Sequence, residues 1–281
     1  MSGFLDDMAR ASAARVAEAL RHETLPALER RARQATRAAP LRLSAAGFDV
    51  IAELKLRSPA AGVLGEESQD WLGRVAAYAR GGAAAVSVLT EPSRFDGSLE
   101  HLRRAAAALA PLGVPAMRKD FLVDPYQVLE ARAAGAGGVL VILRMLPRRR
   151  IEELLDVAAE HGLFVLLEAF DAADLELARD LKASRTQADV PAHAGHPLLV
   201  GVNSRDLQTL KVRPERFAAL APRLPAGLLA VAESGVASAA DARHMRELGY
   251  GAALIGTALM SCADPGPLLR EIIDATRTVQ P

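Results

Sequence analysis

Two lysines and three glutamates occupy comparable places in this 281-residue chain, each at the end of a short apolar run and just before a turn. The runs are Ile51-Ala52-Glu53-Leu54-Lys55, Ala116-Met117-Arg118-Lys119-Asp120-Phe121, Val165-Leu166-Leu167-Glu168 and Leu229-Ala230-Val231-Ala232-Glu233, and Val200-Gly201-Val202-Asn203, with Arg205 just beyond, is a fifth. A single charge at a strand end can simply be solvated. Five brought together are costly to desolvate unless they pair or serve a ligand. Lysines with carboxylates can also move protons. A lysine serves as an acid near neutral pH when burial or a neighbouring cation lowers its pKa, and Lys55 and Lys119 are expected to perturb one another in that way. None of these endings carries histidine or cysteine, so metal-dependent hydrolysis is not expected and no metal ligands are proposed. His193 and His196 have no third ligand nearby and read as a solvated loop.

A second signal lies in Glu233-Ser234-Gly235-Val236 and Leu254-Ile255-Gly256-Thr257, where small residues follow apolar runs directly. Tight turns alone would need those glycines. Backbone amides and a helix N-terminus at such places also hold phosphate, and Ser58, before Pro59, could add a hydroxyl. The expected ligand is a phosphorylated small molecule.

These endings need a scaffold that brings them to one place. Strand-like runs at Val50–Lys55, Ala84–Leu89, Pro115–Arg118, Gly138–Ile142, Phe164–Glu168, Leu198–Val202, Leu228–Glu233 and Ala252–Ile255 alternate with helix-like segments, from Trp71–Arg80 to Gly266–Thr278. Eight strands each followed by a helix give an α/β fold, a single TIM (β/α)8 barrel, whose strand C-termini converge on one pocket. A doubly wound open sheet would place a glycine-rich turn after its first strand, and Lys55-Leu56-Arg57-Ser58-Pro59 is not one. Glycines such as Gly135 and Gly249 fall where helices need left-handed caps. Ahead of the barrel, two amphipathic helical stretches run to about Ala39, the second over Leu25–Ala38, with Pro40 as the stop. The expected organisation is one domain over 1–281, with a helical extension at 1–40 and the barrel at 48–281. The stretch Ala183–Pro197 should lengthen one helix-to-strand connection.

Composition narrows the function classes. Lysine plus arginine equal aspartate plus glutamate at 34 each, so no global field attracts nucleic acid or an anionic membrane. No apolar run reaches transmembrane length, and the lone Cys262 allows no internal disulfide. A cytoplasmic enzyme is expected, a monomer or weak homodimer without nucleic-acid or membrane partners.

The set Glu53, Lys55 and Ser58-Pro59, then Ser87-Val88-Leu89-Thr90-Glu91 with Phe95 and Gly97-Ser98, then Arg118-Lys119-Asp120-Phe121 with Asp124-Pro125-Tyr126-Gln127, resembles the indole-3-glycerol phosphate synthases of tryptophan biosynthesis. Glu168, Asn203-Ser204-Arg205-Asp206-Leu207, Glu233-Ser234-Gly235 and Leu254-Ile255-Gly256-Thr257-Ala258-Leu259-Met260 agree with it. The resemblance implies a carboxy-lyase without cofactor or metal that closes a pyrrole ring on 1-(2-carboxyphenylamino)-1-deoxyribulose 5-phosphate with loss of carbon dioxide and water. It implies Lys119 as the acid on the substrate carbonyl, with Glu53, Lys55 and Glu168 sharing the remaining proton transfers. Asn203 and Glu233 would orient sugar hydroxyls and lysines. Ser58, Ser234, Gly235, Gly256 and Thr257 would hold phosphate, Phe95, Phe121 and Leu207 would flank the anthranilate ring, and Arg205 would join the binding set.

The chain departs from the family pattern at Ala60-Ala61, where serine and lysine are common, at Phe170, where histidine is frequent, and at Gly137-Gly138, often acidic. A Schiff-base aldolase is the rival among enzymes, because a strand lysine in a phosphate-binding barrel also suits that chemistry. A non-catalytic binding barrel would show eroded strand ends, and these are intact. Phosphoribosylanthranilate isomerase would want a cysteine on the first strand, far from Cys262.

Overall fold

The eight apolar runs become eight parallel strands in a computed structural model that describes residues 3–45, 47–59, 62–64, 70–187, 197–207 and 209–277. They are β1 (Asp49–Leu54), β2 (Ala85–Leu89), β3 (Ala116–Lys119), β4 (Gly138–Ile142), β5 (Phe164–Ala169), β6 (Leu198–Asn203), β7 (Leu229–Glu233) and β8 (Ala252–Ile255). Each lies within one residue of the expected bounds. They pair in chain order and β8 closes on β1, with Asp49 opposite Ala252, so the fold is a TIM barrel.

Side chains alternate across each strand, which splits the apolar residues into two shells. Ile51, Met117, Leu140, Leu166, Leu199, Val231 and Leu254 fill the barrel, joined by Leu41 and Phe164. Their neighbours Val50, Val86, Val139, Val165, Val200 and Ala253 face the helices.

The helices are α1 (Phe4–His22), α2 (Leu25–Gln34), α3 (Trp71–Arg80), α4 (Pro92–Phe95), α5 (Leu99–Leu109), α6 (Pro125–Ala133), α7 (Arg148–Glu160), α8 (Ala172–Gln187), α9 (Glu215–Leu220), α10 (Ala239–Glu247), α11 (Thr257–Ser261) and α12 (Pro265–Asp274). Local chemistry starts α6: Asp124 accepts the Tyr126 N–H at 2.9 Å while Gln127 Oε1 accepts the Asp124 N–H at 3.2 Å, and Pro125 needs no donor in the first turn. Gly135 then takes φ +88° just past its end.

Both N-terminal helices dock on α6. Val16, Leu28, Ala32, Tyr126 and Leu129 form a third apolar cluster. Gln127 donates to Ser12 at 2.8 Å, and Tyr126 donates to the Glu23 carbonyl at 3.0 Å. Helix α2 stops at Gln34, short of the expected Ala38, because Ala35 turns extended and Arg132 takes the carbonyls of Ala35 and Thr36. Helix α8 runs on to Gln187, into the stretch from Ala183 expected to form the connection; His193 and His196 lie outside the described residues. The short α4 and α11 and a small hairpin, Arg57–Ser58 with Gly62–Val63, were not expected.

Candidate active site

Inward alternation carries Glu53, Lys119, Glu168, Asn203 and Glu233 to the C-terminal mouth of the barrel. The carboxylates and the amide are buried, with Glu233 only 1% exposed. Lys55 Nζ lies 2.6 Å from Glu53 Oε1, and Lys119 Nζ reaches Glu53 Oε2 at 3.9 Å. Asn203 donates to Glu168 Oε1 at 2.5 Å and accepts the Arg205 N–H at 2.9 Å. All fifteen residues singled out in the sequence line one cavity of about 430 Å³: Glu53, Lys55, Ser58, Phe95, Lys119, Phe121, Glu168, Asn203, Arg205, Leu207, Glu233, Ser234, Gly235, Gly256 and Thr257.

One side of that cavity is built from turns. Ser234 and Gly235 both take positive φ, 66° and 107°, directly after β7. The conformation is unusual for serine, and it is held from the end of the neighbouring β6: the Ser204 N–H donates to the Glu233 carbonyl at 2.9 Å, and Ser204 Oγ donates to the Ser234 carbonyl. Gly256 and the start of α11 follow β8 beside it. Gly256 has a further reason to be glycine, since a Cβ there would lie 2.3 Å from Glu53 Oε1 and 3.1 Å from Lys55 Nζ. It therefore leaves room for the Glu53–Lys55 pair, a role that periodicity could not reveal.

The opposite side is apolar. Phe95 and Phe121 have ring centroids 6.2 Å apart, and Leu207, Leu140 and Ile142 complete the wall. Phe4 of α1 joins them, its ring edge-on to Phe121 at 5.8 Å. Phe4 belongs to the N-terminal helical extension and is not among the fifteen residues singled out in the sequence.

Electrostatics correct one expectation. Burial opposes charge on Lys119, but Glu168, Glu53 and Glu233 outweigh it, and the Lys119 pKa is raised rather than lowered. The nearby carboxylates, and not Lys55, dominate its surroundings. Burial likewise pushes Glu53 up, yet Lys55 and Lys119 bring it below its ordinary value. Glu233 goes the other way, well above the ordinary glutamate value, through burial first and then the charge of Glu168. Arg205 is lowered by burial, partly offset by Glu53, and donates to the Leu210 carbonyl at 2.8 Å. Among the described residues no group of three or more His, Cys, Asp or Glu is placed to hold a metal, and no helix is long and apolar enough to cross a membrane.

The family model for indole-3-glycerol phosphate synthase matches residues 5–272. The chain belongs to that family. It is 44% identical over 222 residues to the indole-3-glycerol phosphate synthase of Leifsonia xyli, covering 79% of this chain and 78% of that one. With the indole-3-glycerol phosphate synthase of Koribacter versatilis it shares 38% identity over 277 residues, 97% and 98% of the two chains. Among solved structures, 3-hexulose-6-phosphate synthase from Salmonella typhimurium superposes with a TM-score of 0.60 at 14% identity, over 82% of this chain and 98% of that one. That likeness concerns the barrel alone.

Two departures from the family pattern have structural reasons. Phe170 is buried beneath the Arg144 guanidinium, 4.7 Å above its ring, and Arg144 is held by Asp171 and, at 2.7 Å, Asp174. The ring of Phe164 occupies the space a Cβ at Gly138 would need, at 2.4 Å, so this glycine admits a large residue to the barrel floor. Ala60 and Ala61 lie outside the described residues.

Proposed function

We propose that this cavity carries out the reaction for which its family is named, converting 1-(2-carboxyphenylamino)-1-deoxyribulose 5-phosphate to indole-3-glycerol phosphate in tryptophan biosynthesis. The observation that carries the reading is the meeting, in one cavity, of a charged floor, an apolar slot and a pair of turns suited to phosphate. Phe95, Phe121 and Leu207 flank the anthranilate ring, while Ser58, Ser234, Gly235, Gly256 and Thr257 hold the phosphate at the other end. The substrate is thereby stretched across Lys119, with Arg205 beside it.

The ring carbon bearing the carboxylate attacks the ketone carbon, and the carbonyl oxygen takes a proton from Lys119. A raised pKa suits this step, because the lysine enters the cycle protonated. Carbon dioxide then leaves, its bonding electrons restoring the aromatic ring. Loss of the new hydroxyl as water, with a proton given to it and another removed from the adjacent methylene, completes the pyrrole. Lys55, Glu53 and Glu168 share those transfers, and Asn203 orients Glu168. Glu233 sets the position of Lys119 and the sugar hydroxyls. A lysine biased towards its charged form is a poor amine nucleophile, which weighs against the Schiff-base reading.

The reading is of a single domain acting in the cytoplasm as a monomer or weak homodimer. The test is incubation of the pure protein with the carboxyphenylamino-deoxyribulose phosphate while indoleglycerol fluorescence is followed. A product signal supports the reading. Its absence in folded protein, or lysine trapping by borohydride with a sugar phosphate, overturns it.

A further inference from the structure

We propose that Gly201 is a positioning residue for Glu233: its lack of a side chain is the space into which the Glu233 carboxyl fits. Glycine in the middle of a barrel strand costs stability and packs nothing, so it calls for a reason. Backbone conformation is not that reason, because Gly201 is absent from the glycines with positive φ. Gly201 lies on β6 opposite Glu168 of β5 and Val231 of β7, two residues before Asn203, which is opposite Glu233. A Cβ at Gly201 would lie 1.9 Å from Glu233 Oε1, 2.9 Å from its carboxyl carbon and 3.2 Å from Leu166 Cδ1. The first distance is far inside any contact. Glu233 must therefore swing away if Gly201 gains even a methyl group.

Among the described residues no hydrogen bond anchors that carboxyl: neither of its oxygens has a partner, although the side chain is buried. Its place is set by shape, between Glu168 on one side and Gly201 beneath. Lys119, Glu168 and Glu53 all face it, so a displaced carboxyl alters the field at the lysine that carries the proton. Gly256 does the same for Glu53, two strands further round the barrel. Two glycines thus open the space for two catalytic carboxylates.

The inference rests on the reading that Glu233 contributes to turnover, and a double-mutant cycle separates the two claims. Gly201→Ala, Glu233→Ala and the double variant are compared in kcat, KM and Tm. Misplacing a catalytic group by about 1 Å can cost up to about a hundredfold, so Gly201→Ala should lower kcat by tenfold or more on the order of that limit, with KM little changed. In the Glu233→Ala background the obstructing carboxyl is gone, and Gly201→Ala should cost nothing further in kcat or Tm. An equal loss in both backgrounds would mark Gly201 as merely structural and overturn the proposal. So would full activity of the single Gly201→Ala variant. If Gly201→Ala does not fold, recovery of folding in the double variant supports the clash with Glu233, and failure of both refutes it. If Glu233→Ala turns over normally, the reading of Glu233 falls, and the Tm cycle alone then decides whether Gly201 makes its space.

Discussion

Arg118, Lys119 and Asp120 are consecutive, yet they belong to two charge clusters of opposite character. Arg118 and the carboxylate of Asp120 turn towards the helices, although Asp120 also borders the cavity. Arg118 donates to Thr90 Oγ1 at 3.1 Å, the Gln127 carbonyl at 2.8 Å, Glu130 at 3.0 Å and Asp120 at 3.1 Å. Asp120 accepts from Thr90 at 2.7 Å, from Arg15 of α1 at 2.7 Å and from the Phe121 N–H at 2.8 Å. Lys119, pointing into the barrel, meets Glu53 only at 3.9 Å, and Glu233 near it has no hydrogen-bond partner among the described residues. Both clusters are desolvated, but only the outer one is hydrogen-bonded throughout. Burial pushes Asp120 up, Arg118 and Arg15 overcome it, and its pKa falls; Glu233, lacking such partners, is raised. A network that holds a fold satisfies its own members, whereas a working site leaves some for the substrate.

Breaking the inner cluster should act on rate. Lys119→Met keeps much of the stem and deletes the proton, and losing a positioned general acid costs on the order of a hundredfold to ten-thousandfold in turnover. The binding turns are untouched, so a reduced substrate analogue should still bind within about a factor of ten, or about 1.4 kcal/mol. Single-turnover product formation and analogue binding on one preparation check this. Ring closure near the wild-type rate would move the acid to Lys55.

Breaking the outer cluster should act on stability. Asp120→Ala leaves Arg118 and Arg15 facing one another, and removing one partner of a buried pair typically costs about 3–5 kcal/mol. Urea unfolding measures the loss. Because the folded pKa of Asp120 is depressed, its contribution is present above the ordinary aspartate value and is lost as pH falls through the lower folded value. Asp120→Asn should therefore flatten the acid limb of the stability profile. A steep acid limb in that variant would assign it to other carboxylates.

The two clusters were not equally legible in the sequence. Eight apolar runs with polar endings fixed the barrel, and the period of two sent Lys119 inward, which is why all fifteen site residues meet in one cavity. The direction of the Lys119 shift was out of reach, because it depends on how many carboxylates surround the lysine once the barrel closes. The meaning of Gly201 and Gly256 lies in side chains of other strands, Glu233 and Glu53, and no local pattern encodes it. Arg15 and Phe4 carry no local signal either, because what they do depends on α1 lying against the residues that follow β3.

A smaller effect sharpens the contrast through pH. The folded pKa of Glu233 is raised, so its neutral form is the one the fold prefers: its contribution is fully present below the ordinary glutamate value and is lost as pH rises through the folded value. Glu233→Gln removes that dependence. Relative to the variant, the wild type should lose at most about 1.4 kcal/mol per pH unit across that window. Parallel stability profiles for the two proteins would mean that Glu233 is ionised in the fold.

The smallest effect concerns Phe4, which belongs to neither cluster but rides on the helix that serves both sides. Arg15 of α1 grips Asp120, while Phe4, near the start of the same helix, meets Phe121 edge-on at the cavity wall. Phe121 is thus held by three partners: its N–H by Asp120 and its ring by Phe4 and Phe95. Removing one ring of such a pair forfeits about 0.5–1.5 kcal/mol beyond area burial. Phe4→Ala should therefore raise KM roughly twofold to tenfold. It should leave kcat nearly unchanged, because the ring of Phe4 packs on the ring of Phe121 rather than on a group assigned a proton transfer. Steady-state kinetics with Phe4→Leu alongside separates lost ring contact from lost bulk, and the leucine variant should recover part of the affinity. A fall in kcat with KM unchanged would instead mean that α1 acts through Arg15 and Asp120 on Lys119, and that the two clusters are coupled rather than merely adjacent.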